Sequence, residues 1–285
     1  MISETCIEAK SLREYVKKGT EEGLFKEQFQ KLVFYKGDDY QKIANSPTNK
    51  HKNRVVGRGA YDDMRVILSE IEGIPGSDYI NANRINGYQV KDAYIASQGP
   101  LEGTCEDMWR MCWEKNISTI VMLTQCVDQG REKCFKYWPD EGIKCYGSIE
   151  VTITETKSHA VYEFRSFKMC HKKVSGITKT IEHFAFGGWN DFQIPNEEEL
   201  LTLMKNVNKT HDKNGVDHPL LVHCAAGCGR TGTFIVLHIC LKQIRSEGKV
   251  DVFECLKRVR EQRSYIVETQ AQYEFIHKAL VKGME

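Results

Sequence analysis

The sequence predicts an α/β (α+β) fold, a mixed β-sheet wrapped by helices, in one domain spanning residues 1–285. Three observations carry this expectation. Short apolar runs of strand length fill the middle of the chain, and helical periodicity dominates its last third. One strand, "PLLVHC", is separated from a long apolar helix by only a few small residues. No repeat, low-complexity tract or linker rich in Pro, Gly or Ser divides the chain.

The elements follow in order. In "EEGLFKEQFQKLVF", Phe25, Phe29 and Leu32 recur at helical spacing and predict an opening helix. A polar, strand-poor connector runs through "SPTNKHKNRVVGRGAYDD". From "DYINANRI" onward the runs "AYIASQ", "TIVMLT", "SIEVTITE", "VYEFRSF", "IEHFAF" and "PLLVHC" read as strands. Thr104 with Asp107 resembles a capping box before the helical "MWRMCWEKN". The remaining helices are "NEEELLTLMKNV", "TGTFIVLHICLKQI", "VFECLKRVREQ" and "QAQYEFIHKAL".

Composition narrows the function classes. A hydrophobic fraction of 41% and a charged fraction of 28% suit a soluble globular protein with a sizeable core. The net charge of +1 gives no whole-chain attraction to nucleic acid or membrane, so any anion site must be local. The opening "MISETCIEAKSLREYVKK" has early acidic residues and no apolar run, hence no signal peptide and no membrane insertion is expected, and a cytoplasmic location follows. Eleven cysteines are scattered through apolar segments, as buried thiols of a reducing compartment would be. No Cys/His ligand spacing points to a metal, and no cofactor is expected.

The most informative stretch is "PLLVHCAAGCGRTGTFIVLHI". An apolar strand runs into His223-Cys224, then Ala225, Ala226, Gly227, Cys228 and Gly229, then Arg230-Thr231-Gly232, then an apolar helix. Small residues let the backbone curl with its amide hydrogens inward, and the following helix adds its positive end. That makes a cradle for a dianionic oxyanion such as phosphate. Arg230 can clamp the anion bidentately in a way that Lys cannot. The same dipoles favour Cys224 as the thiolate, the form that attacks. An isolated cysteine after a strand is ordinarily inert and a run of small residues ordinarily a turn. The combined Cys-x5-Arg pattern between strand and helix is far more specific. His223 is expected to orient the loop rather than act as a base.

On these residues the chain resembles the protein tyrosine phosphatases, the cysteine-dependent family with a His-Cys-x5-Arg-Ser/Thr-Gly signature. The likeness extends over "KNR" at Lys52 to Arg54, "YDDMRVIL", "DYINANRINGY", "YIASQGPLEGTCEDMWRMCWE", "TIVMLTQ", "KCFKYWP", "HFAFGGWNDFQIP" and "ETQAQYEF". It implies a non-receptor-like single catalytic domain, a twisted mixed sheet flanked by helices, and hydrolysis through a cysteinyl-phosphate intermediate without metal. The expected partners are phosphotyrosine-containing proteins, and a monomer is expected.

The resemblance also separates two aspartates. The family carries its general acid on a Trp-Pro-Asp loop that follows a His-Phe strand and precedes the signature by about thirty residues. Here that position is Trp189-Asn190-Asp191, which makes Asp191 the acid; Asp140, in "KYWPD", matches a different segment and is expected to be a turn residue. Asn190 in place of proline leaves the loop backbone freer and is expected to weaken or slow its closure.

Other positions depart from the family pattern. Val55 and Gly57 stand where the family has the tyrosine that stacks on the substrate ring and the aspartate that holds the peptide. Ala225 replaces a serine, and Asp128 replaces a glutamate that pairs with the signature arginine. Glu268 replaces the first of two water-positioning glutamines, while Gln272 keeps the second. Glu268 either faces the pocket and repels the substrate or forms a salt bridge outward. Tyr265 is a bulky residue at the entrance. Cys228 can capture an oxidised Cys224 or simply pack like an aliphatic residue. The sequence therefore predicts an active phosphatase built on Cys224, Arg230, Thr231, Asp191 and Gln272, with the 225–229 loop and Val55 contacting substrate. Its competitors are a degenerate phosphatase that binds phosphoproteins without turnover and, ranked lowest, a phosphatase of phosphoinositides.

Overall fold

The computed structural model describes residues 4–33, 35–190, 193–214 and 218–284. A nine-stranded sheet forms its spine. In spatial order the strands are Arg65–Ile67, Tyr79–Ile85, Tyr94–Ser97, Leu220–His223, Thr119–Met122, Val174–Ala185, Glu163–His171, Ile149–Ser158 and Ile143–Tyr146. The four strands from Tyr94–Ser97 to Val174–Ala185 run parallel, and the flanking strands run antiparallel. Leu220–His223 is buried at every residue, as a parallel strand covered on both faces must be. Its apolar run without alternation is the sequence trace of that burial.

Helices cover both faces. One apolar core joins Leu12–Glu21, Leu24–Gln30, Glu197–His211, Gly229–Glu247, Val252–Arg260 and Gln270–Gly283 to the sheet. The other core packs Cys105–Glu114 beneath the antiparallel meander through Met108, Trp109, Tyr146 and Phe167. The helical signals read from the sequence hold. Gly229–Glu247 lies between sheet and helices and buries most of its length, which its near-continuous apolar run required.

Two readings change. The opening helix is two helices: Gly23 adopts φ +73° and ends continuity, so a separate helix Leu12–Glu21 precedes Leu24–Gln30. Phe25, Phe29 and Leu32 are buried as expected. The capping box at Thr104 and Asp107 does not form. Thr104 Oγ1 accepts from the Leu101 amide of the preceding turn at 2.9 Å. Asp107 is taken by Lys52 at 3.4 Å and Arg110 at 3.0 Å, because two buried cations need its charge more than a helix end does. Seven of the eleven cysteines are buried, and no helix among the described residues is long and apolar enough to cross a membrane.

Four buried histidines tie the fold to pH. Burial holds His183 and His238 well below their ordinary value of 6.5 and pushes His223 and His277 down to about 4. The folded values lie below the unfolded ones, so between the two it is the unfolded chain that binds the extra protons. The stability these rings contribute is complete above about pH 6.5 and lost as pH falls toward about 4, at about 1.4 kcal/mol per ring per pH unit. Urea denaturation from pH 7 to pH 4.5 should therefore show a midpoint that drops steeply below pH 6.5; a flat profile across that window contradicts the assignment.

Candidate active site

The carboxyl ends of the parallel strands meet at one edge of the sheet, where ligands of such sheets bind. His223 stands in register with Ser97 on one side and Met122 on the other, and the chain leaves the strand at Cys224. Five residues later the helix Gly229–Glu247 begins, with its positive end beside the thiol. Cys224 is buried, and the amide of Gly227 donates to its Sγ at 3.3 Å. Gly227 makes the curl possible: its φ is +71°, and a Cβ there would lie 2.2 Å from the Ser97 carbonyl oxygen. Gly99 approaches from the neighbouring strand end and donates its amide to the Ala225 carbonyl at 2.9 Å.

Arg263 fixes the direction of the loop. It is fully buried, and its guanidinium donates to the carbonyls of Gly227 (2.7 Å) and Ala226 (3.1 Å) and to the side-chain oxygens of Asn83 (2.9 Å) and Asn81 (3.0 Å). Pulling those carbonyls outward turns the opposite edge of the peptides toward the cleft. Behind the strand, His223 Nε2 is 2.8 Å from the Tyr137 hydroxyl, which also meets His183 Nε2 at 2.9 Å. With burial pushing His223 down to about 4, it stays neutral and serves as a strut, as the sequence suggested.

That strut explains "KCFKYWP". Tyr137 and Trp138 of this segment are core residues, while Asp140 is exposed, ion-paired with Lys136, and absent from the lining of the cleft. The second aspartate, Asp191, lies outside the described residues. Its neighbours are placed: Arg230 Nη1 donates to the Trp189 carbonyl at 2.9 Å, and the buried Trp189 indole donates to the Gln193 carbonyl at 2.8 Å. Both flanks of the candidate acid thus bear on the signature arginine and the cleft. Asn190 itself is exposed.

The cleft has a volume of ≈ 510 Å³ and brings together Val55, Cys224, Ala225, Ala226, Gly229, Arg230 and Gln272 of the expected residues. Its charged lining comprises Arg54, Arg58, Lys133 and Arg230 against Glu132 and Glu268, a local positive excess in a chain that is almost neutral. Arg54 anchors the connector by donating to the Pro100 and Gly99 carbonyls and to Glu132 Oε1. Thr231 is buried, and its hydroxyl has no hydrogen-bond partner among the described residues. Asp128 sits in a hairpin, Val127–Asp128 against Arg131–Glu132.

The two readings of Glu268 merge: its carboxylate lines the cleft and also pairs with Arg58 Nη2 at 3.0 Å. Gln272 caps its own helix, its Oε1 accepting from the Glu268 amide at 2.8 Å and the Thr269 amide at 3.3 Å. Its Nε2 lies 2.9 Å from where a Cβ on Gly229 would stand, directly against the loop. Cys228 is fully buried, and burial pushes its thiol up to about 12, the setting of a packed rather than a reactive sulfur.

A sequence model of the family described as protein-tyrosine phosphatase matches residues 49–282, which includes every element of this cleft. The chain belongs to the protein-tyrosine phosphatase family. Among its relatives, receptor-type tyrosine-protein phosphatase F of Rattus norvegicus is 43% identical over 241 residues, covering 84% of this chain and 12% of the relative. Tyrosine-protein phosphatase Lar of Drosophila melanogaster is 41% identical over 257 residues, 90% of this chain and 13% of the relative. The Lar-like phosphatase of Caenorhabditis elegans is 44% identical over 244 residues, with coverage of 85% and 11%. The chain therefore spans roughly an eighth of the length of these relatives.

Sequence reasoning missed three residues that line or support this cleft. Arg263, Tyr137 and Arg58 are far from the signature in sequence, and an arginine or tyrosine read alone is ordinarily a surface or core residue. Only Arg263 carried a usable signal, a charged residue directly before the "SYIVETQ" segment. Arg263→Ala should lower stability by about 3–5 kcal/mol, the cost of breaking a buried charged network, and abolish binding of inorganic phosphate. Urea denaturation and calorimetric titration check both; an intact phosphate site in the variant contradicts the role given to Arg263.

Proposed function

We propose that this domain hydrolyses phosphotyrosine in proteins through a cysteinyl-phosphate intermediate. The observation that carries the reading is the curled 224–230 loop, with the Gly227 amide on Cys224 Sγ and Arg230 at the mouth of the same cleft. In the first step the Cys224 thiolate attacks phosphorus, the phosphorus–oxygen bond to the aryl group breaks, and Asp191 protonates the departing oxygen. In the second step water attacks phosphorus while the Asp191 carboxylate takes its proton, the phosphorus–sulfur bond breaks, and the thiolate returns. Inward amides and Arg230 hold the charge that gathers on the phosphoryl oxygens, so no metal is needed. Gln272 Nε2 orients the water. Residues 1–285 act as one domain, and a monomer with phosphotyrosine proteins as partners in the cytoplasm fits this reading.

The test is phosphate release from phosphotyrosine peptides by the wild type and four variants. Cys224→Ser should be inactive. Asp191→Ala should lose about 10²- to 10⁴-fold in kcat, the usual worth of a general acid. Asp140→Ala should stay within about twofold, as surface changes do. Asn190→Pro should raise kcat by about two- to fivefold if restricting the loop favours closure by the typical 0.4–1 kcal/mol. Full phosphopeptide binding by the wild type with no turnover would instead establish a binding module.

A further inference from the structure

No aromatic side chain is among the described residues that line the catalytic cleft. A phosphoaryl group seated with its phosphate at Cys224 still needs a flat surface beside its ring. The flat group on the wall is the Arg58 guanidinium. Arg58 closes a tight turn, its amide donating to the Val55 carbonyl at 3.2 Å, with Gly57 at φ +74°. Its side chain then reaches back over the cleft. Its Cζ lies 3.2 Å from the centroid of the Tyr265 ring, so one face of the guanidinium is covered. Its Nη2 edge is fixed by Glu268 at 3.0 Å. Nη1 is buried with no hydrogen-bond partner among the described residues, as fits a nitrogen pressed on a ring face.

Each of the two holders is itself held. Tyr265 keeps φ +56° in the segment after Arg263 and stacks on Tyr35, with centroids 5.7 Å apart and an interplanar angle of 22°. Glu268 is tied through its amide to Gln272 Oε1. The Arg58 side chain keeps 24% of its surface exposed and is one of the residues lining the cleft.

We propose that Arg58 is a specificity-determining wall of this site: the open face of its guanidinium stacks on the substrate's aryl ring, with Tyr265 and Glu268 as positioning residues. The proposal rests on the phosphatase reading above. Arginine suits the task because its planar, weakly hydrated head stacks where an ammonium cannot. Glu268 has two effects there. It keeps the guanidinium flat on Tyr265 rather than letting it swing toward the phosphate, and its own repulsion of the dianion is offset by the charge it holds.

The experiment measures binding of phenyl phosphate and inorganic phosphate to the full chain carrying Cys224→Ser, by calorimetric titration. The parent should bind phenyl phosphate more tightly, and Arg58→Ala should remove that preference, weakening phenyl phosphate roughly fivefold more than phosphate if the stack has the usual cation–π strength. Arg58→Lys keeps the charge and loses the plane, so it should behave as Arg58→Ala; Tyr265→Ala and Glu268→Gln should erode the preference partially. Equal losses on both ligands, a lysine variant that retains the preference, or a parent with no preference overturns the wall. Failure of the phosphatase reading looks different: the phenyl preference and its loss in Arg58→Ala persist while the wild type turns over no phosphotyrosine peptide.

Discussion

The guanidinium of Arg263, closed off from solvent and bonded, among the described residues, to oxygens of the 224–230 loop and of the neighbouring strand Tyr79–Ile85, is the constraint on which the rest of the site depends. A loop of five small residues has many conformations, and folding must select one in which the amides converge. Side chains of Ala and Gly cannot impose that choice. The arginine imposes it from behind by donating to the carbonyls of Gly227 and Ala226, and its charge lies under the loop. Removing one member of such a network leaves buried polar atoms unsatisfied, which is why the arrangement is rigid rather than merely favourable.

The sheet supplies the second requirement, which is convergence. Ser97, Met122, Ala185 and His223 end parallel strands on one side, and the segments that follow them carry Gly99, Gln125, Trp189 and Cys224. Four distant pieces of sequence are thereby delivered to one edge. The Tyr137–His223–His183 bridge locks the central strand to the segment after the Val127–Glu132 hairpin without using charge, because all three groups are buried and the histidines are held neutral. A cleft with local positive excess then fits a chain whose net charge is only +1.

Four of the departures from the family pattern lie together. Val55, Gly57, Glu268 and Tyr265 flank one structure, the turn and side chain of Arg58, and they leave the Cys224 loop and Arg230 in place. The absence of a hydroxyl at Ala225 costs the cradle nothing that a backbone amide does not already provide. The 224–230 loop and the Arg58 turn are thus separate structures on this molecule: the floor of the cleft keeps Cys224 and Arg230, and the wall carries an anchored cation.

Much of this was legible in the sequence because it depends on local pattern. The strand, the small-residue loop and the helix at "PLLVHCAAGCGRTGTFIVLHI" are adjacent in the chain, so the strand–loop–helix unit could be read directly. So could the apolar strands and amphipathic helices, whose periodicity reports which faces are buried. Helix limits were less legible, since Gly23 breaks a helix by its backbone angle and Asp107 abandons a cap for two buried cations. The sequence by itself determined the fold class and the small-residue loop that follows Cys224 between strand and helix. Only the tertiary structure decided that Asp140 is a surface residue, that Tyr137 is a strut, that Arg263 holds the loop, and that Glu268 faces the cleft with its charge met by Arg58. Those choices belong to residues separated by tens to hundreds of positions, and a contact of that kind exists only once the sheet has brought its strand ends together.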